Sequence, residues 1–196
     1  MIQRSLATLI LCFVLFSAAA PAQKSKTPAK KNVEVCSLLT SAEIQSVLGE
    51  AAKQTKSSTQ PGGGLLMSQC FFGMAGSAKS VSLALATANP ADKSNLTPRA
   101  FWRKQFHSGN QEGREEKSRA GKTGDRSEAE REEELHKARP IAGLGEEAYW
   151  VGNPILGALY VLQHDKFLRI SVGGIRQEPE RIEKSKALAQ AALKRL

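Results

Sequence analysis

The sequence predicts an α+β fold: an antiparallel sheet with helices packed on one face. Three observations carry this. Segments of alternating apolar and polar residues come in pairs joined by short polar or glycine-rich links, the pattern of antiparallel hairpins. A short, fully capped helix precedes the first pair. An amphipathic helix closes the chain, and strands bracketed by helices build a sheet that helices cover.

The N-terminal short helix is the best-specified element. Thr40, followed three residues on by Glu43, makes a capping box, and Leu39 and Ile44 are placed for a hydrophobic staple. Ile44, Val47 and Leu48 line one side, and Gly49 suits the left-handed stop position. At about two turns this helix needs a surface to dock on. A polar strand is expected over residues 51–57, and residues 60–64, QPGGG, read as a flexible turn. Its glycines do not make a phosphate cradle, because no strand-loop-helix pattern with a following Lys-Ser/Thr surrounds them. Strands follow at residues 68–74, with Cys70, Phe72 and Met74 on one side, and at 80–88, with Val81, Leu83 and Leu85 on one side. Residues 75–79 link them as a hairpin.

Thr97-Pro98 starts the next helix, with proline at its first position. Phe101, Trp102 and Phe106 give this helix a bulky stripe suited to a core. Residues 109–139 then change character: charges of both signs with a single leucine. That insertion cannot be a core element and is expected to be flexible to about residue 124 and a charged helical stretch thereafter. Its AGKTG is not a nucleotide-binding loop, since Glu116 stands where the motif needs glycine and no strand leads in.

Regular structure resumes with a glycine turn and a strand at 148–151. Residues 158–174 form a hairpin with His164-Asp165 at its tip. Leu168, Ile170 and Val172 line one side of its second arm, and Phe167, Arg169 and Ser171 the other. The C-terminal amphipathic helix has Pro179 near its start, acids early and bases late, as the helix dipole favours. Its apolar side is expected to comprise Ile182, Ala189, Ala192, Leu193 and Leu196.

The first 22 residues read as a secretory signal: Arg4, an apolar run to Phe16, then small residues ending Ala20-Pro21-Ala22. The run falls short of the roughly 20 residues of a spanning helix. A soluble, periplasmic or secreted product starting near Gln23 is therefore expected, rather than an integral membrane protein. Residues 23–31 form a basic tail expected to be disordered, and residues 32–196 a single domain. The chain carries 28 basic and 19 acidic residues, formally +9. Arg4, Lys24, Lys26, Lys30 and Lys31 supply five of those charges, which leaves +4 from residue 32 onward. A nucleic-acid-binding domain keeps its charge on the folded part, so nucleic acid is excluded as a partner.

Cys36-Ser37-Leu38-Leu39-Thr40 with Glu43 and Leu48-Gly49, then Cys70-Phe71, then Gly143 through Trp150, Leu159-Tyr160-Val161 and Leu168 through Gly173 together resemble a family of small exported bacterial proteins. Many members are lipoproteins, and the family is known only as a domain of unknown function. The resemblance spans nearly the whole mature chain apart from the charged insertion. It implies a PsbP-like α+β fold and a two-cysteine pattern, and brings no catalytic residues. This chain differs from the lipoprotein members in lacking a lipid-attachment cysteine, because Cys12 lies within the apolar run.

With Cys12 lost alongside the signal, Cys36 and Cys70 remain, an even count in an oxidising compartment, which points to a structural disulfide. No Cys-x-x-Cys is present for redox work, and His107, His136 and His164 stand at no metal-like spacing. Glu146-Glu147 are adjacent, so they do not face each other as a catalytic pair, and read as a solvated strand entry. No Gly-x-Ser-x-Gly elbow occurs. The expectation is a noncatalytic exported binding or interaction module, without catalytic or metal residues or a cofactor. Its partner would be an envelope protein, glycan or lipid. The alternative is a hydrolase-like enzyme whose site is assembled in space.

Overall fold

Two antiparallel meanders, joined side by side, make the sheet. The computed structural model describes residues 34–75, 79–107 and 138–196. The expected signal segment 1–22, the expected tail 23–31, the middle of the 75–79 link and nearly all of the 109–139 insertion lie outside the described residues. The first meander is β1 (Ala52–Gly62), β2 (Leu65–Met74) and β3 (Ser80–Ala88). The second is β4 (Arg139–Pro140), β5 (Glu147–Gly152), β6 (Gly157–Gln163) and β7 (Lys166–Gly173). Their last strands pair, giving the order β1-β2-β3-β7-β6-β5-β4 for the seven described strands. Every neighbouring pair is antiparallel. With α1 (Ser41–Leu48), α2 (Pro98–His107) and α3 (Glu178–Leu193) this is the expected α+β class.

Strand pairing draws one row of side chains straight across five strands: Cys70, Leu83, Ile170, Leu159 and Trp150. All five are fully buried, and they form the spine of the main core on what we call the first face. α1 and α3 cover this face, together with a 3-10 turn at Val35–Leu38. In α1, Thr40 and Glu43 form the capping box, Gly49 closes the helix at φ 79°, and Ile44 and Leu48 are buried. α3 grips α1 at both ends. Lys184 Nζ donates to the Val47 carbonyl at 2.6 Å, and Arg195 donates to Glu43 at 2.9 Å and to the Leu38 carbonyl at 3.2 Å.

Three expectations need correction. β1 does not end before QPGGG but runs through Gly62, with Pro61 opposite Leu66. Proline is tolerated there because β1 is an edge strand. The turn shrinks to Gly63-Gly64, both at positive φ (59° and 80°), as a tight hairpin turn requires.

The buried stripe of α3 is Arg181, Ser185, Leu188, Ala189 and Ala192, whereas Ile182, Leu193 and Leu196 are only partly buried. Of the expected side Ala189 and Ala192 are buried, while Arg181 and Ser185 escaped the apolar pattern because they are polar. Arg181 is admitted to the interior because its guanidinium donates to the carbonyls of Asn153, Pro154, Ile175 and Arg176, at 2.8–3.1 Å.

Finally, not all the helices share one face. α1 and α3 do, but α2 lies over the second face, where Phe101, Trp102 and Phe106 pack with Leu65, Ala86, Leu162 and Phe167. Those strand residues alternate away from the main core and leave an apolar strip that only a helix on that side can cover.

Candidate functional site

The second face is divided. One half lies beneath α2. Trp102 is 1% exposed, its ring centroid 5.8 Å from Phe167 and 5.9 Å from Tyr149. Phe106 stacks on Tyr149 at 4.7 Å, lies tilted 4.4 Å from Trp102 and meets Tyr160 edge-on at 5.6 Å. Polar contacts pin the helix along its length. At its start, Thr97 Oγ1 accepts from the Ala100 amide, and Asp165 Oδ1, at the hairpin tip, accepts from the Arg99 amide. Arg99 also bonds Glu146 at 2.6 Å, and Glu146 accepts from the His164 amide. Further along, Glu147 Oε2 accepts from Trp102 Nε1 at 3.1 Å and lies 2.8 Å from His107 Nε2.

Glu146 and Glu147 therefore do more than form a solvated strand entry: they diverge, as adjacent strand residues must, and each holds a different part of α2. The Arg99 guanidinium, helped by the His164 amide, holds the Glu146 carboxyl below its usual range. For Glu147, burial pushes the carboxyl up, but the Trp102 and His107 bonds outweigh it and the net shift is downward. Burial, and then the Glu147 charge, raise the Tyr149 phenol. His164 has a positive φ of 55°, as a residue at a hairpin tip does. His107 and His164 sit on different elements, and among the described residues neither ring hydrogen-bonds a serine. His136 lies outside the described residues. Among the described residues no group of His, Cys, Asp and Glu is arranged to hold a metal ion. Cys36 and Cys70 are joined as a disulfide that ties the 3-10 turn to β2.

Among the described residues, nothing covers the other half of the second face. Strand register places Gln69, Ala84, Arg169 and Tyr160 in one row, and Phe71, Ser82 and Ser171 in the next. Over β5, β6 and β7 this half sinks into a groove of about 320 Å³. Val151, Leu156, Ala158, Tyr160, Arg169 and Ser171 are among its lining residues. Its rim is the β5–β6 turn, where Ile155 and Leu156 are 79% and 71% exposed. Asn153 Oδ1 accepts from the amides of both and fixes that turn.

Among the described residues, Arg169 is the one charged residue of the lining. Its Nε donates to the Tyr160 hydroxyl at 3.1 Å, and its guanidinium carbon lies 5.8 Å from the centroid of the Tyr160 ring. Among the described residues, no carboxylate pairs with it. The neighbouring polar groups are satisfied locally: Gln69 donates to Ser82 at 2.9 Å, and Ser171 donates to the Gly157 carbonyl at 2.8 Å. The sequence placed Arg169 on the face opposite Leu168, but alternation alone did not say that the described helices would leave this half-face uncovered. A lone arginine on an otherwise uncharged strand face was the available clue.

Fold and site together define a disulfide-bridged α+β sandwich whose sheet, among the described residues, is covered by helices except over one grooved half-face. No protein-family model, no curated protein and no solved structure matches the chain. Among the described residues no helix is long and apolar enough to cross a membrane.

Proposed function

We propose that the protein is a noncatalytic exported module of the cell envelope, periplasmic or secreted, that binds its ligand on the open half of the second sheet face. One observation carries this reading: the uncovered part of the sheet holds a groove whose only charged residue is an arginine without a carboxylate partner among the described residues. Ligand sites are typically mainly apolar hollows with a few fixed polar groups, and this groove has that composition. The signal-like first 22 residues and the Cys36–Cys70 bridge support the oxidising compartment. Membership of the small exported bacterial family with the PsbP-like fold is proposed on the motifs quoted above, with the α+β architecture as its support.

The hydrolase-like alternative has less behind it. A hydrolytic site needs a nucleophile within reach of its base. The His107–Glu147 pair instead ties α2 to β5, with Glu147 also accepting from Trp102, and neither residue lines the groove.

Hydrogen exchange of the protein, with and without the small-molecule fraction of an envelope extract, tests the proposal. Slower exchange concentrated in residues 151–160 and 169–171 is expected. Unchanged exchange there, or consumption of an extract component by the protein, defeats it.

A further inference from the structure

We infer that the groove is a site for a short-chain aliphatic carboxylate, with Arg169 as the group that receives the acid. This rests on the binding reading above and adds the ligand class. Arg169 uses Nε on Tyr160, and among the described residues both terminal nitrogens of its planar fork remain for a ligand, which a carboxylate matches with two parallel hydrogen bonds. Preorganisation favours this. Tyr160 lies directly opposite Arg169 in the β6–β7 register, and its ring is braced by Phe106 of α2, so the guanidinium is positioned before any ligand arrives.

The charge points to a monoanion. A phosphate monoester brings −1.5 to −2 near neutral pH, roughly one charge more than Arg169 can match. The nearest other cation in these rows, Lys56, is opposite Phe71 on the edge strand, with β2 and β3 between it and β7. The rest of the lining fixes the body of the ligand. Val151 and the exposed Leu156 offer aliphatic surface, while Ser171 is already engaged with Gly157. An open groove of about 320 Å³ has room for a short aliphatic chain, and octanoate serves as the probe of that class.

Calorimetric titration of the full chain with octanoate, octanol and octyl phosphate tests the inference. Octanoate should bind about tenfold or more tightly than octanol, the effect of a charge-assisted pair, and at least as tightly as octyl phosphate. Arg169→Gln should bring octanoate down to the affinity of octanol, and Arg169→Lys should keep part of the preference. Leu156→Asn should weaken acid and alcohol together. Equal binding of octanoate and octanol by the wild type overturns the inference, and that comparison needs no variant to fold. Tighter binding of octyl phosphate overturns the monoanion assignment, and an undiminished preference in Arg169→Gln overturns the role of Arg169. If octanoate does not bind while envelope extract still slows exchange in the same strands, the carboxylate assignment falls and the binding face stands. If both effects are missing, both fall.

Discussion

Reducing the Cys36–Cys70 bond should cost the protein about 4 kcal/mol of stability, the entropy returned to an unfolded chain whose cysteines are 34 residues apart. Substitution should not reproduce that figure equally at the two ends. Cys36 is partly buried at the margin of the core, so Cys36→Ser should behave much like reduction. Cys70 is 0% exposed in the row of five that crosses the sheet. Its neighbours there, Leu83 and Ile170 beyond it, offer a hydroxyl nothing to bond. Cys70→Ser should therefore lose a further ~1–3 kcal/mol for a buried, unsatisfied polar group. The double substitution should match Cys70→Ser alone, because the bond is already gone. Equilibrium urea unfolding, followed by the fluorescence of Trp102 and Trp150, measures all four species. The dependence on urea should steepen when the bond is cut, since an uncrosslinked denatured chain exposes more surface. A reduced protein within about 1 kcal/mol of the oxidised form, or a Cys70→Ser variant no weaker than Cys36→Ser, would refute the reasoning.

Two more perturbations probe the first face. Arg195 and the Thr40 capping bonds hold the Glu43 carboxyl at about 2, below its ordinary 4.5, against a smaller upward push from burial. The unfolded state therefore binds the proton more readily, and the stabilisation is complete above pH 4.5 and lost as pH falls toward 2. With solvent screening at this partly exposed pair, Glu43→Gln should cost about 1–2 kcal/mol near neutral pH and almost nothing near pH 2. A stability gap that stays constant with pH in urea titrations would contradict the pairing. Gly157→Ala tests a close approach: a methyl group there would enter the indole ring of Trp150, which is fully buried and donates to Glu178 at 2.8 Å. A loss of about 1–3 kcal/mol with a shifted tryptophan emission is expected, and an unchanged melting temperature would show that the indole has room to move.

The sequence announced most clearly what short-range chemistry decides. The capping box of α1 is complete within Thr40 and Glu43, and the β6–β7 hairpin is written in alternation around His164-Asp165, so both were legible. The extent of β1 was not. Its residues are nearly all exposed, so no apolar alternation marks its end, and pairing with β2 alone carries it through Pro61. The buried stripe of α3 was hidden for a different reason. Arg181 is a core residue only because the remote β5–β6 turn at residues 153–154 and the segment leading into α3 at 175–176 aim their carbonyls at it. Sequence pattern prices that side chain as solvent-facing, and the compensation is assembled from elsewhere in the chain.

The location of the groove had the same kind of origin. Phe167, Arg169 and Ser171 alternate to one side of β7 and were read as one face, yet α2 covers Phe167 and leaves the other two. What decides this is where α2 is fastened. Its ties to Asp165, Glu146 and Glu147 all lie at the end of the sheet nearest the β6–β7 turn, and so its aromatic residues reach as far as Tyr160 and stop. Tyr160 thus belongs to both halves, its ring against Phe106 and its hydroxyl on Arg169. A sheet face meant only for water would be expected to carry polar and charged residues on its outward positions. From β2 to β5, the open rows here carry alanine, serine, glutamine, valine, two aromatics and one arginine, beside a turn that exposes Ile155 and Leu156. That composition fits a surface that meets something less polar than water and negatively charged at one point.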